Sequence, residues 1–416
     1  MSVVSPRRPV RGPVTTFSAL RSPNYRLWFF GQTFSLMGTW MQSVAQGWVV
    51  YQMTASQLAL GAVSFLNSIP SLFLMLPAGA LLDRLPRRRV LLTTQTIMML
   101  LAFVLAGLSA SGTLKVWHIG VLAMCLGITQ SFDAPCRQAM VVELVEDRGD
   151  LMNAIALNSS MFNLARVVGP AVGGIVLARA GATWCFVLNG FSFVAVLVAL
   201  SKMRMGIGVC TTTRGRLRDE LVAGLRYVVG NAQVRTLLLI VGVSTLLNLT
   251  YPTLMPAYAA DVLHVGEAGL GSLNAALGFG ALVGSLTLAS LGAFKRKGLL
   301  LTIGNLLFPV MVMVMAVSPS YHFSLGCLPL VGISFVAQNS TVNALIQSLV
   351  PDGLRGRVMA VYMLMLFGAS PFAALQAGSL AQLFGVRWGL AIGPALALAF
   401  ALSVMVTVPS LRRIEA

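Results

Sequence analysis

The chain of 416 residues is 57% hydrophobic and only 10% charged, yet it carries a formal net charge of +17. Soluble domains hold about 25% charged residues, so this composition excludes an ordinary soluble fold and places the chain in the membrane class. The positive charge lies in short clusters between apolar segments and not in one basic face, which argues against a nucleic-acid partner.

In chain order, Arg7, Arg8 and Arg11 precede an apolar segment that begins near Leu27. The segment outruns a signal-peptide core and lacks a small-residue cleavage site, so it reads as a retained first transmembrane helix. Apolar windows predict twelve spans. Those of the first half lie near 27–50, 58–81, 90–110, 117–138, 153–178 and 183–202. Those of the second half lie near 234–258, 271–293, 299–318, 323–346, 358–383 and 388–408. The only long polar connection is 203–231, where Leu217, Leu221, Leu225 and Val228 are patterned for a surface helix. The expected domains are a first six-helix lobe (1–202), a cytoplasmic linker (203–233) and a second six-helix lobe (234–416).

Charge sets the expected orientation. With both termini in the cytoplasm, all but four of the 29 Lys and Arg fall on the cytoplasmic side. Lys115, Arg179 and Arg387 fall outside, and Arg166 lies within span five. The halves also echo each other: LVEDRGDLMNAIAL at 144–157 is similar to LVPDGLRGRVMAVYML at 349–364. Each precedes a fifth span with a mid-span proline, Pro170 or Pro371. Two similar lobes suit a transporter whose site opens alternately to either side.

The most charged stretch, GALLDRLPRRR at 79–89, resembles the signature loop between helices two and three of the major facilitator superfamily. Gly79, Asp83, Arg84, Arg87, Arg88 and Arg89 match the pattern, and Pro86 stands where it prefers Gly. The resemblance spans essentially the whole chain. A second stretch, 132–174, resembles the branch that contains enterobactin exporters and related multidrug efflux proteins. There Gly169, Pro170, Gly173 and Gly174 match the fifth-helix motif associated with antiport in drug exporters, while Met161 and Ala165 replace its upstream glycines. LRGRVMAVYML at 354–364 is typical of the same branch.

The resemblance implies an all-α membrane fold of twelve helices in two pseudo-symmetric lobes. It also implies a secondary exporter of a small drug-like or siderophore-like molecule, driven by proton exchange. In the family, the loop carboxylate, here Asp83, contacts the start of helix eleven when the cytoplasmic side is closed, where a helix N-terminus favours an anion. Plain anchoring to anionic lipid is the competing account of Arg84 and Arg87 to Arg89.

Few charges fall inside the spans. A cation at the position of Arg166 costs about 2.5–3.5 kcal/mol on insertion scales, so it should face the protein interior. It either meets an anionic substrate or a transient carboxylate, or makes a fixed bond to carbonyls near Pro170 or to span one. Asp133 is the one acid within reach of a span and is a candidate proton site, although Arg137 one turn away can pair with it. No acid falls in the middle of a span, so proton coupling rests on the resemblance.

Gln32, Ser35, Thr39, Gln42 and Gln46 share one face of span one. With Asn163, Asn248, Gln338 and Asn339 they are expected to line a polar cavity; hydrogen bonding between helices is the rival account. The five cysteines are scattered with no metal spacing, so neither a metal site nor a disulfide framework is expected. No phosphate-binding loop and no paired acids support an enzyme or an ATP-driven pump, and no cofactor is expected.

The reading is therefore a monomeric, multi-pass transporter of a bacterial plasma membrane. Its partners are the lipid bilayer, a small-molecule substrate and protons. Import by the same fold is the nearest rival, because coupling and not fold sets direction.

Overall fold

Lipid offers no hydrogen-bond partners, so each apolar span must satisfy its backbone internally and does so as a helix. The computed structural model describes residues 17–82, 85–145, 147–203, 217–290 and 297–408, and among the described residues there is no strand. The first six spans are α1 (Pro23–Thr54), α2 (Gln57–Leu82), α3 (Arg87–Ala110), α4 (Val116–Leu144), α5 (Leu151–Ala180) and α6 (Ala182–Lys202). The linker helix α7 (Leu217–Gly230) follows. Span seven is built from α8 (Ala232–Asn248), α9 (Tyr251–Ala257) and a π turn (Tyr258–Val262). Then come α10 (Glu267–Ser290), α11 (Lys297–Val317) and α12 (Tyr321–Leu349). Span eleven is α13 (Asp352–Gly368) with α14 (Ser370–Phe384), and α15 (Val386–Thr407) is the last.

Among the described residues, eleven helical segments are long and apolar enough to cross a membrane, and the 32-residue α1 is the twelfth span. Its polar face lowers its apolar content without shortening it. Several helices outrun the predicted windows at the end that carries the Lys and Arg clusters. There α4 continues through Arg137 and Glu143, and α13 begins at Asp352. Charged residues end an apolar window but not a helix.

Spans seven and eleven are broken where span five is not. Proline has no N–H, and its ring clashes with the preceding turn. α8 ends at Asn248 ahead of Pro252, and α13 ends at Gly368 ahead of Pro371. α5 continues as one helix through its mid-span Pro170. The two hairpins that follow spans five and eleven share a device: Gly181 (φ 83°) and Gly385 (φ 86°) occupy backbone conformations that disfavour a Cβ.

Within the first lobe α1 packs on α5 and α6, α2 on α4, and α3 on α4 and α6. Within the second, α12 packs on α10 and α11, while α15 packs on α11 and α14. The lobes meet along two seams, α5 against α10 and α2 against α14. Helix direction gathers Arg87 to Arg89, the linker helix and the start of α13 at one end of the bundle, the basic end. His118, His264 and His322 mark the other, the histidine end.

Candidate functional site

Between the lobes lies a cavity of about 610 Å³. The polar face of α1 supplies Gln32, Ser35, Thr39, Gln42 and Gln46 to its wall, the placement their helical spacing predicts. α2 adds Asn67 and Ser68, and α5 adds Phe162, Arg166 and Pro170. The second lobe contributes mainly through its two broken spans, with Leu249, Tyr251 and Thr253 at one break and Ser370 at the other. Irregular backbone at membrane depth is tolerated where it borders a cavity, which is where both interruptions fall.

Four residues expected in the wall are placed elsewhere. Gln338 is 1% exposed inside the second lobe, where it accepts from Ser244 at 3.0 Å and donates to Asn305 at 2.9 Å. Asn248 donates to the same Ser244 hydroxyl at 3.0 Å. Asn339 donates to the Phe335 carbonyl of its own helix at 3.1 Å. Asn163 crosses the seam and donates to Ser285 of α10 at 3.3 Å. Buried amides are costly unless paired, and each of these found a partner away from the cavity.

Asp133 sits on the cavity wall and is 2% exposed. It accepts from Thr94 at 2.9 Å and Gln95 at 2.8 Å, and Arg137 pairs with it at 3.1 Å. These partners join α3 to α4 and hold the carboxylate as part of the lobe's own structure.

Arg166 lines the same cavity without an ionic partner among the described residues. The guanidinium lies 5.7 Å from the ring centre of Trp40 on α1 and 5.7 Å from that of Phe335 on α12. The Tyr251 hydroxyl is beside it. No carboxylate pairs with it among the described residues. To the two readings left open for Arg166, the geometry adds a hydroxyl neighbour and aromatic faces from both lobes, each face worth about 0.5–2 kcal/mol to a cation.

The fifth-helix motif is a packing device with two faces. A Cβ on Gly169 would sit 2.7 Å from the Met37 carbonyl, and one on Gly173 would sit 3.0 Å from Met41 Cα, so both press on α1. A Cβ on Gly174 would lie 2.7 Å from Gly271 Cα across the lobe boundary. The second seam repeats this contact, with a Cβ on Gly61 falling 3.0 Å from Gly378 Cα. Gly61, Gly271, Gly278 and Gly378 were not singled out from the sequence. The spacing of Gly271 and Gly278, two turns apart on one face of α10, is the signal that marks them.

At the histidine end the seams are reinforced by hydrogen bonds. Trp48 donates to Glu267 at 3.0 Å and Ser56 to Gln382 at 3.0 Å. Tyr51 donates to Asp261, which the π turn presents, and Gln57 donates to the same carboxylate at 3.4 Å. None of these bonds was legible beforehand, because each joins residues more than 200 positions apart.

The signature loop is arranged differently. Asp83 and Arg84 lie outside the described residues. A Cβ on Gly79 would meet nothing within 4 Å, and Pro86 forms the N-cap of α3. Arg87 pairs with Glu143 of α4 at 2.5 Å. Arg88 donates to the carbonyls of Leu200 and Ser201 at 2.7 and 2.8 Å, capping the open C-terminal end of α6. Two of the described arginines at the start of α3 thus tie α3 to its neighbours within one lobe.

Comparison with known proteins agrees with this geometry. Residues 14–416 match the model of the transmembrane secretion effector family. The chain is 28% identical over 359 residues to the multidrug efflux pump Tap of Mycolicibacterium fortuitum, covering 84% of this chain and 87% of that one. It is 26% identical over 347 residues to the enterobactin exporter EntS of Shigella boydii, covering 82% and 81%. A bacterial homologue of the human lysosomal transporter Spinster, solved in an inward-facing state, superposes with a TM-score of 0.74 at 12% identity, over 94% and 98% of the two chains. The chain belongs to the transmembrane secretion effector family, within the major facilitator superfamily of multi-pass membrane transporters.

Proposed function

We propose that the chain exports a small amphiphilic molecule across the plasma membrane of a bacterium, by alternating access coupled to proton antiport. The observation that carries this reading is the cavity of about 610 Å³ between lobes that are fastened at the histidine end. The glycine seams support rigid-body rocking of one lobe against the other, since backbones in close contact can pivot without repacking large side chains. The names of the relatives, an efflux pump and an exporter, support the outward direction.

The excess of Lys and Arg at the basic end supports a cytoplasmic location for that end and for both termini. The described state then faces inward, with polar cavity residues Gln95, Gln130 and Arg137 leading toward the cytoplasm. Residues 203–233 serve as the cytoplasmic link between two lobes of a monomer. In the opposite state the basic end closes, and Asp83 engages the start of α13.

The test is uptake by inverted membrane vesicles of fluorescent probes carrying positive, negative or no charge, with a proton gradient imposed. Accumulation that collapses on adding a protonophore, and that falls about tenfold or more in Asp83→Asn at equal expression, is the expected result. Accumulation only in right-side-out vesicles would assign import, and accumulation indifferent to the gradient would remove proton coupling.

A further inference from the structure

The charges around the cavity have a consequence for what can occupy it. Three charged residues line it: Asp133, Arg137 and Arg166. Asp133 and Arg137 neutralise each other at 3.1 Å, which leaves one uncompensated positive charge on Arg166. A guanidinium has five N–H donors; the Tyr251 hydroxyl takes one, and the aromatic faces offset the charge without accepting the others in line. Among the described residues, Asp133 is the one acid on the cavity wall, and its partners hold it. The other described acids fall at or near helix ends and in the connections, so among the described residues no second carboxylate lies at the depth of Arg166.

We infer that the central cavity takes an organic anion with a flat apolar body, its acidic group on Arg166. This rests on the export reading for its consequence, but the charge preference is a property of the cavity itself. The apolar body lies against Trp40 and Phe162, which line the wall near the guanidinium and meet edge to face at 6.1 Å. A low-dielectric cavity with one net positive charge attracts anions and rejects organic cations of the same shape. The same contact couples the occupant to both lobes, because Arg166 is held between Trp40 of the first and Phe335 of the second.

The test uses three isosteric probes, radiolabelled 2-naphthoate, 2-naphthamide and 2-naphthylmethylammonium, binding to the purified full chain in lipid nanodiscs. Wild type is expected to hold the naphthoate about tenfold or more tighter than the amide, the difference a charged hydrogen bond supplies, and to hold the ammonium weakest. Arg166→Gln is expected to erase the difference between naphthoate and amide, and Arg166→Lys to keep part of it. The wild-type ranking stands even if the glutamine variant fails to fold. Equal binding of the three probes, preference for the ammonium, or unchanged naphthoate binding in a well-folded Arg166→Gln overturns the inference. Naphthoate binding without gradient-driven transport in vesicles would contradict the export reading and leave the anion site standing. Transport of cationic probes with no naphthoate preference would do the reverse.

Discussion

The two ends of the bundle use polar residues in opposite ways. At the histidine end the hydrogen bonds of Trp48, Tyr51, Ser56 and Gln57 run from the first lobe to the second. At the basic end the bonds of Arg87, Arg88 and Arg355 stay inside one lobe, on Glu143, on the α6 carbonyls and on Asp352. Glycine follows the same division, with Gly174 and Gly61 pressed against the other lobe and Gly79 facing open space. The hydrogen bonds of the histidine end join the lobes, whereas the arginines of the basic end brace each lobe internally.

The largest way to break this contrast is to wedge a seam. Gly174→Leu places a side chain where a Cβ already sits 2.9 Å from the Glu267 carbonyl. Transport should fall by at least about tenfold while the purified protein stays monodisperse, because the lobes fold but cannot close at the histidine end. Normal transport in that variant would show that the seam is not a closing surface.

A smaller effect is expected from the double change Asp261→Asn and Glu267→Gln, which weakens the charged acceptors of the inter-lobe bonds. Hydrogen bonds to charged groups contribute about 1.5–3 kcal/mol each, and partial exposure at this end lowers that. Reaction of an engineered cysteine at Thr253, on the cavity wall, with an impermeant reagent from the histidine side should accelerate severalfold. Arg88→Ala should act otherwise. It strips two bonds from the α6 terminus and lowers thermal stability by about 1–3 kcal/mol, with no change in that cysteine's reactivity. The smallest expected effect is Asn163→Ala, whose single long bond to Ser285 is worth about 0.5–1.5 kcal/mol and should alter transport by no more than a few fold.

Much of the fold is written in the sequence as apolar length and charge placement, because a bilayer demands both of every span. The cavity face of α1 is written as helical periodicity, since five polar residues on one stripe must face something other than lipid. Periodicity does not say what that something is. Gln338 and Asn339 are as polar as the α1 residues, yet the amide of Gln338 meets Ser244 and Asn305 inside the lobe. The broken spans follow from Pro252 and Pro371, but Pro170 shows that a proline need not end a helix supported by close packing on α1 and α10. The seams were the least legible feature. A glycine in a membrane helix looks alike whether it faces lipid or a neighbouring backbone, and only its partner across the lobe boundary distinguishes Gly174 from Gly79.

The central claim is that the two ends open and close in opposition. Paired spin labels test it directly, at Leu58 with Leu383 near the histidine end and at Arg89 with Asp352 at the basic end, in a background with the native cysteines replaced by alanine. Adding a transported substrate under a proton gradient should lengthen the first distance and shorten the second within the same preparation. Distances that rise together, or a histidine end that stays closed while transport proceeds, would contradict the account.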